Sequence, residues 1–336
     1  MSNKLRWGCL STAHFARTKF LPAMAGCEHA DLHAICSRDL GRAQASAKEL
    51  GIPKAYGSYE ELLADPDIDV VYNPLPGHLH APWSAKAAAA GKHVLCEKPI
   101  GMNAAEAKEL IAVRDRHKVK IGEAFMVRTH PQWLRARQLV RQGAVGELRS
   151  VAGYFSYFNR DAGNIRNIPE AGGGAVYDIG CYTITMSRFI FGEEPRRVVA
   201  LVERDPDMKT DRLSSAILEF PSGHAIWTVS TQIALYQRMQ VYGTTGRLEI
   251  RIPFNAPKDE PTRIFLDDGS RLGDASAKAE EFPICDQYTI EADAFSRAVI
   301  DDAPEPVPLE DALANMAVID AVYRSGESGN WEEVKA

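Results

Sequence analysis

The chain has 336 residues, of which 45% are hydrophobic and 25% are charged, and its formal net charge is −6. This length exceeds that of one usual hydrophobic core and predicts two domains. The acidic balance argues against nucleic-acid and anionic-membrane partners, because neither is attracted to a negatively charged surface. Since no apolar segment is long enough to span a bilayer and no export signal opens the sequence, we predict a cytoplasmic protein.

Six cysteines are scattered along the chain without a CxxC pair, and the nine histidines include no HExxH pattern. In a chain of this size, such a distribution is typical of buried thiols in a reducing compartment. It does not indicate a disulfide framework or a zinc site. We therefore predict no metal centre.

The first 124 residues alternate between short apolar strands and helical patterns. Such alternation predicts parallel strand pairing with right-handed crossover helices. The expected strands are 5–10, 30–37, 70–72, 93–98 and 119–124, and the expected helices are 15–26, 40–50, 83–90 and 103–117. We predict an N-terminal Rossmann-type parallel-sheet domain over residues 1–124 that binds a dinucleotide.

A turn with a single glycine follows the first strand, where the dinucleotide fingerprint G-x-G-x-x-G would stand. That fingerprint lets the backbone approach a pyrophosphate at a helix N-terminus. Here Gly8 is followed by Ser11, Thr12 and Ala13, which are small and supply two hydroxyl groups. We take these four residues as candidate cofactor contacts, while an ordinary strand–helix turn would have the same sequence.

The end of the second strand bears on which cofactor binds. An acidic residue there usually grips the ribose 2′-hydroxyl of NAD, but this strand ends in Ser37 and Arg38. A hydroxyl and a guanidinium favour the 2′-phosphate of NADP instead, with NAD as the less favoured cofactor. The alternative is that Arg38 faces solvent and Asp39 is the N-cap of the next helix.

Two further strand ends carry candidate residues. Asn73 and Pro74 begin a rigid loop that ends at His80, and this loop is placed to contact the nicotinamide ribose. His78 and His80 lack a third ligand at suitable spacing, so we do not assign them to a metal. The next strand ends in Glu97 and Lys98, which the crevice rule for open α/β sheets places beside a bound ligand.

Residues 125–336 are predicted to form a C-terminal α+β domain with a large, mostly antiparallel open sheet. Strand-like runs joined by short turns at 221–223 and 243–246 support this. The runs are 148–158, 197–203, 214–220, 224–231, 238–242 and 247–252, and the helices are 131–142, 288–300 and 309–323. A single sheet layer with alternating Ala225, Trp227 and Val229 needs cover on both faces, which predicts a homodimer or homotetramer through this sheet.

A glycine-rich stretch, 172–174, opens a predicted helix that contains Asp178 and Tyr182. Residues four apart share one helix face, so a carboxylate and a phenol would stand together for proton transfer. A phenol titrates near pH 10, and a neighbouring ammonium such as that of Lys98 would make it usable at neutral pH. Spacing alone favours the plainer alternative of a first-turn charge and a packed aromatic ring.

Polar and aromatic residues after the first domain are candidate substrate contacts, although any single one is more often structural. They are Arg128, Tyr154, Phe158, Asn159, Arg160, Asn164, Arg166 and Asn167. Among them we select Arg128, Phe158 and Arg166, together with Asp178.

Several of these pieces together resemble the Gfo/Idh/MocA oxidoreductase family over nearly the whole chain. The matching pieces are Glu97-Lys98-Pro99, the loop from Asn73 to His80, the segment 123–131 and the segment 172–182 followed by 191–195. The details are most similar to the branch that contains glucose–fructose oxidoreductase, dimeric dihydrodiol dehydrogenase and NADP-dependent D-xylose dehydrogenase.

The resemblance implies roles that spacing did not supply. Lys98 would bind and polarise the substrate, Tyr182 would be the general acid/base in place of a histidine, and Asp178 would bind substrate. It implies hydride transfer between NADP and a sugar or polyol. Two alternatives stay open: a trans-dihydrodiol dehydrogenase, which needs a more apolar pocket, and a non-catalytic dinucleotide-binding regulatory protein, which would not need both Lys98 and Tyr182.

Overall fold

The computed structural model describes residues 4–335 and divides into two compact units. The first unit comprises Met1–Thr129 and Asp286–Leu313, and the second comprises His130–Cys285 and Ala314–Ala336. The segment 286–313 therefore belongs to the first unit, although it lies far along the chain. The domain boundary at 124/125 stays a prediction, because compactness alone does not say which residues bind cofactor or substrate.

The first unit is built on a parallel sheet of six strands within residues 4–335. The strands are Leu5–Leu10 (β1), Ala30–Cys36 (β2), Lys54–Tyr56 (β3), Val70–Asn73 (β4), His93–Glu97 (β5) and Ile121–Ala124 (β6). Their order, β3-β2-β1-β4-β5-β6, is that of a Rossmann fold. The predicted N-terminal parallel-sheet fold is confirmed.

Helices connect these strands: Leu21–Ala23 (α1), Leu40–Leu50 (α2), Tyr59–Ala64 (α3), His80–Ala89 (α4) and Ala104–His117 (α5). A π-helical turn, Ala16–Phe20, precedes α1. Side-chain caps begin three of them: the oxygens of Asp39, Ser58 and Asn103 accept from backbone N–H groups three residues on. β3 and α3 were not predicted from the sequence, although Ser58 and Glu61 form the S-x-x-E pattern of a helix start.

The second unit is built on a larger sheet of nine strands within residues 4–335. The strands are Leu148–Phe158 (β7), Arg197–Arg204 (β8), Asp211–Glu219 (β9), His224–Ser230 (β10), Gln232–Gly243 (β11), Arg247–Ile250 (β12), Thr262–Asp267 (β13), Lys278–Phe282 (β14) and Glu332–Glu333 (β15). The order is β14-β13-β12-β11-β7-β10-β9-β8-β15, and all neighbours are antiparallel except β7 and β10. The predicted mostly antiparallel sheet is confirmed. β13, β14 and β15 were not predicted from the sequence, and β14 (KAEEF) carries no apolar alternation.

The remaining helices are Pro131–Arg141 (α6), Cys181–Phe191 (α7), Gln287–Ile300 (α8) and Leu309–Ser328 (α9). In the first unit, α8 packs against the parallel sheet. The rings of Trp7 and Phe295 meet edge to face with centroids 5.9 Å apart, and Trp7 Nε1 donates to Ser296 Oγ at 3.1 Å. These buried contacts explain why 286–313 belongs to the first unit.

The two faces of β10 differ in exposure. Ala225, Trp227 and Val229 are buried within the second unit, whereas Ile226 is 46% exposed. Ile226 lies directly opposite Ile217 of β9, which is 41% exposed. The residues that suggested an uncovered face therefore already have cover, and the exposed apolar positions are the alternate ones.

Candidate active site

The carboxyl ends of four neighbouring strands in the first unit carry the predicted cofactor residues. In sheet order, β2, β1, β4 and β5 end at Cys36, Leu10, Asn73 and Glu97. Because parallel strands all end at one edge of the sheet, the turns that follow them lie along that edge. The edge includes the position between β1 and β4 where the strand order reverses.

The turn after β1 is shaped by Ser11, which adopts a left-handed conformation with φ of 86°. Its hydroxyl accepts a hydrogen bond from the backbone N–H of Ala13 at 3.3 Å. Gly8 lies inside β1. A Cβ at that position would stand 2.8 Å from Leu62 Cδ2, so the absence of a side chain lets α3 pack closely on the strand.

The turn after β2 contains the candidate phosphate contacts Ser37 and Arg38 and also the N-cap Asp39 of the alternative interpretation. Asp39 is the N-cap of α2 and accepts from the Arg42 N–H at 3.1 Å, while Ser37 Oγ accepts from the Asp39 N–H at 3.3 Å. Arg38 is exposed at the strand end. Burial raises the pKa of Tyr59, and the Arg38 guanidinium opposes that shift, which places the guanidinium beside the phenol.

Asn73 is fully buried at the end of β4, and the protein itself occupies its amide. Its Nδ2 donates to the His80 carbonyl at 3.0 Å and to Ser84 Oγ at 3.1 Å. Its Oδ1 accepts from the Leu75 N–H at 3.3 Å. Asn73 therefore fixes the loop that follows β4, whatever that loop contacts.

His80 connects the loop after β4 to the turn after β5. The ring is 3% exposed, and its Nδ1 and Nε2 lie 2.6 Å from the carbonyl oxygens of Pro99 and Leu75, respectively. Burial lowers the pKa of His80 to about 4, against the opposing effect of the two carbonyls. The ring is then neutral near pH 7 and donates to one of the two oxygens.

The turn that carries Lys98 is held at each neighbouring residue. Glu97 Oε1 accepts from the Tyr72 hydroxyl at 2.6 Å, the Pro99 carbonyl contacts His80, and the Ile100 N–H donates to Glu123 Oε1 at 2.7 Å. Lys98 itself is half-buried, and its peptide bond to Pro99 is cis. The position of Lys98 is thus fixed by side chains from three strands and a helix.

Arg128, a predicted substrate contact, forms an ion pair within the first unit. Its Nη1 donates to Asp311 Oδ2 at 2.8 Å, and the arginine side chain is 11% exposed. This contact neutralises its charge and orients its guanidinium.

In the second unit, the Asp178 carboxylate is held by two donors. The Tyr157 hydroxyl and Arg166 Nε both donate to its Oδ2, at 2.6 Å and 3.1 Å. Asp178 raises the pKa of Arg166, while burial and then Asp178 raise the pKa of Tyr157. Arg166 was predicted as a substrate contact, and here it is the counter-ion of another predicted site residue.

The helix predicted from the glycines onward begins differently from the expectation. Val176–Gly180 is a π-helical turn, and only Cys181–Phe191 is α-helical. Gly174 starts this turn with φ of 123°, and its carbonyl accepts from the Asp178 N–H at 3.0 Å. Asp178 and Tyr182 are therefore not on one regular α-helix, because the wider turn changes the angle between them.

Tyr182 is 6% exposed and lies in the first turn of α7. Its ring contacts Phe155, with centroids 6.0 Å apart, and Phe254 at 5.5 Å. These apolar neighbours hold the ring, while Arg166 interacts electrostatically with its phenol. Aromatic packing and a nearby cation thus occur at the same residue.

Other predicted residues shape the loop that follows β7. Asn164 Oδ1 caps a short turn by accepting from the Arg166 N–H, and the buried Asn167 amide donates to the carbonyls of Asn159 and Asp161. Phe158 is 67% exposed at the end of the strand. Tyr157 was not predicted as a site residue, although strand alternation from the buried Phe155 would have placed it on the inner face.

No helix among residues 4–335 is long and apolar enough to cross a membrane. Across the same range, no group of three or more histidine, cysteine, aspartate or glutamate side chains is arranged to hold a metal ion. The six cysteines are free thiols.

Comparison with known protein families identifies both halves of the chain. Residues 7–125 match the oxidoreductase family with an NAD-binding Rossmann fold, and residues 133–249 match the GFO/IDH/MocA C-terminal domain. The chain belongs to this oxidoreductase family, as its motifs predicted.

Individual relatives of the chain are oxidoreductases as well. The chain is 40% identical to the NADP-dependent D-xylose 1-dehydrogenase 2 of Haloferax volcanii, covering 97% of this chain and 98% of the relative. It is 35% identical to the trans-1,2-dihydrobenzene-1,2-diol dehydrogenase of Mus musculus, covering 74% of each. Its fold matches the crystal structure of KijD10, a 3-ketoreductase from Actinomadura kijaniata in complex with NADP and TDP-benzene. The TM-score is 0.89 at 30% identity, covering 96% of this chain and 98% of the other.

Proposed function

We propose that this oxidoreductase transfers hydride between NADP(H) and a carbon of a sugar or polyol, with Tyr182 as general acid/base assisted by Lys98. The observation that carries the proposal is the charged cluster in the second unit. There a carboxylate is held by an arginine and a tyrosine, four residues before a second, buried tyrosine. The xylose dehydrogenase and ketoreductase relatives supply the substrate class.

The residues at the strand ends suit an NADP molecule. The left-handed turn at Ser11 leaves small residues and hydroxyls where a pyrophosphate would lie, and the exposed Arg38 is the cation for a 2′-phosphate. The candidate contacts are Ser11, Thr12, Ala13, Ser37, Arg38, Pro74, Glu97 and Lys98. Bound NADP would supply the hydride acceptor or donor.

The different roles proposed for Asp178 and Tyr182 follow from the side chains that contact them. Arg166 beside Asp178 favours the ionised carboxylate, and an ionised carboxylate only accepts hydrogen bonds. Asp178 is therefore suited to bind and orient a substrate hydroxyl. The proton must then move through another group, and the Tyr182 phenol, with Arg166 as a nearby cation, is suited to it. Lys98 would polarise the substrate oxygen and add a second positive charge.

A trans-dihydrodiol dehydrogenase is the second candidate function. The mouse relative with that activity in its name is 35% identical over 74% of this chain. The exposed ring of Phe158 would suit an aromatic diol better than a sugar. Both proposals are incompatible with the third alternative, a dinucleotide-binding regulatory protein that catalyses no reaction.

A panel of aldoses, polyols, keto-sugars and trans-dihydrodiols, each offered with NADP(H) and NAD(H), tests the proposal. Nicotinamide absorbance is the readout. Turnover of a sugar or polyol with preference for NADP supports the main proposal, and turnover restricted to dihydrodiols supports the second. Cofactor binding without turnover of any compound would contradict both.

We also propose that the chain forms a homodimer or homotetramer through the exposed face of the second sheet. Ile217 and Ile226 are cross-strand neighbours on that face, and Leu201 of β8 is 79% exposed beside them. Sedimentation of the wild type and of Ile226→Glu tests this, because a charge there would oppose burial. A wild-type monomer at micromolar concentration would contradict the proposal.

A further inference from the structure

We infer that Asp211 is a positioning residue that fixes the segment 174–182 and thereby the place of Asp178 and Tyr182. Asp211 begins β9 and is 1% exposed, so its carboxylate lies in the interior of the second unit. It was not among the residues that the sequence suggested. The inference rests on the proposed function, since it concerns how the proposed acid/base is held.

The carboxylate of Asp211 holds the start of the π-helical turn. Its Oδ2 accepts from the Val176 N–H at 2.8 Å, two residues before Asp178. That N–H is in the first turn of a helical segment, where no earlier carbonyl of the helix can accept from it. The Asp211 side chain, 35 residues further along the chain, therefore caps this N–H group as a local N-cap residue would.

The glycine at position 174 is explained by the same carboxylate. A Cβ there would lie 2.0 Å from Asp211 Oδ1, which is closer than any real contact. The Gly174 N–H also donates to the Arg166 carbonyl at 2.9 Å, and its carbonyl accepts from Asp178. Asp211 thus packs against a residue whose backbone forms hydrogen bonds with both Arg166 and Asp178.

Helix α9 also contacts Asp211. The Tyr323 hydroxyl, on α9, donates to Asp211 Oδ1 at 2.9 Å, and Ser214 Oγ donates to Oδ2 at 3.1 Å. The Tyr323 ring also contacts Tyr177 in the π-helical turn, with centroids 5.3 Å apart. Asp211 therefore couples helix α9 to the segment that carries the proposed catalytic tyrosine.

The ionisation of this group adds a consequence for pH. Burial raises the pKa of Asp211 to about 6, against the opposing effects of Val176, Tyr323, Ser214 and the nearby Arg204. The phenol of Tyr157 is also within electrostatic range. Because the pKa is raised from its ordinary 3.8, the buried carboxyl binds more protons than the released one up to about pH 6, so the hold on the segment should weaken as the pH rises through that window.

The test replaces Asp211 by Asn and uses Asp205→Asn as the matched control. Asp205 is fully buried in the same unit and accepts three hydrogen bonds, from the N–H groups of Asp207 and Met208 and from Gln232. The readouts are kcat from pH 5 to 9, the NADPH dissociation constant by fluorescence, and amide hydrogen exchange of the peptide 174–182.

For Asp211→Asn we expect kcat to fall about 10- to 100-fold, because misplacing reacting groups by about 1 Å costs that order of rate. We also expect faster exchange in 174–182, an NADPH affinity within twofold of wild type and a kcat profile without the wild-type change near pH 6. The control should show none of these changes. Normal kcat in folded Asp211→Asn, or an equal loss in Asp205→Asn, would overturn the inference.

Tyr323→Phe is the milder variant in case Asp211→Asn does not fold. It removes one donor that stabilises the ionised carboxylate, so the change in kcat near pH 6 should move to higher pH while exchange in 174–182 increases. An unmoved kcat profile with unchanged exchange would overturn the inference. Because hydrogen exchange does not depend on turnover, this outcome is distinguishable from failure of the proposed function, which the substrate panel decides.

Discussion

The turn that carries Lys98 and the turn that carries Asp178 are held by different contacts. Around Lys98, the neutral ring of His80 and the Glu123 carboxylate form hydrogen bonds with the backbone. Around Asp178, an ion pair with Arg166 is added to a hydrogen bond from the Val176 N–H to Asp211. Each arrangement lies within its own compact unit.

This difference matches what the proposed role of each site requires. A lysine at a strand end needs a rigid position, and the end of a parallel strand with three local clamps provides it. A phenol that exchanges a proton needs nearby charges that stabilise its ionised form, as well as a fixed position. Substitutions at each site test this difference, and the largest effect is expected at Tyr182.

Tyr182→Phe should lower kcat by about 10²–10⁴, because it removes the proposed proton-transfer group and little else. The aromatic contacts with Phe155 and Phe254 would remain. Steady-state kinetics and NADPH fluorescence measure the two effects, and cofactor affinity should not change. Tyr242→Phe is the control, since that hydroxyl only donates to Gln240 on β11. Normal turnover in Tyr182→Phe would remove Tyr182 from the mechanism.

His80 should make the stability of the protein fall as the pH falls from about 6.5 to about 4. Its pKa is lowered in the folded state, so the unfolded state binds more protons in that window and stability rises with pH there. A shift from 6.5 to about 4 corresponds to about 3 kcal/mol for complete protonation.

Urea unfolding of wild type and His80→Gln between pH 4 and 8 measures this contribution. The loss of stability on acidification should be smaller in the variant by that amount. His130, whose pKa burial also lowers to about 4, is present in both proteins and cancels in the difference. Parallel stability curves for the two proteins would show that His80 is not the titrating group.

Much of the first unit could be predicted because its signals are local. Apart from β3, the strands are mostly apolar runs of four to seven residues, and most of the candidate residues stand at the strand ends or immediately after them. The strand order then brings those ends together without further information. The short β3 and α3 were missed because a three-residue strand has too few positions to show a pattern.

The second site could be predicted only in part, because its contacts join distant residues. Asp178 and Tyr182 were visible through their spacing and through the family resemblance. Their supports were not visible, since Tyr157 is 21 residues from Asp178 and Asp211 is 35 from Val176. The π-helical turn was also missed, and the close approach of Gly174 to Asp211 just before it is not visible from helix propensity.

Gly8→Ala should give the smallest effect and separates packing from cofactor binding. The new methyl group would meet Leu62 Cδ2 at 2.8 Å and Ile68 Cγ2 at 3.2 Å. Such overpacking costs about 1–2 kcal/mol of unfolding free energy when the neighbour is a side chain that can move. Thermal or urea unfolding measures the loss, and the NADPH dissociation constant should stay within twofold of wild type.

A double-mutant cycle with Leu62→Ala makes the result specific. Removing the Leu62 side chain opens space, so Gly8→Ala should cost less in that background than in the wild type. A large coupling energy with unchanged cofactor affinity would place Gly8 in the packing of α3 on β1. A tenfold weaker cofactor affinity without loss of stability would instead place Gly8 in the phosphate turn, and the first unit would then depend on its glycine as the common fingerprint does.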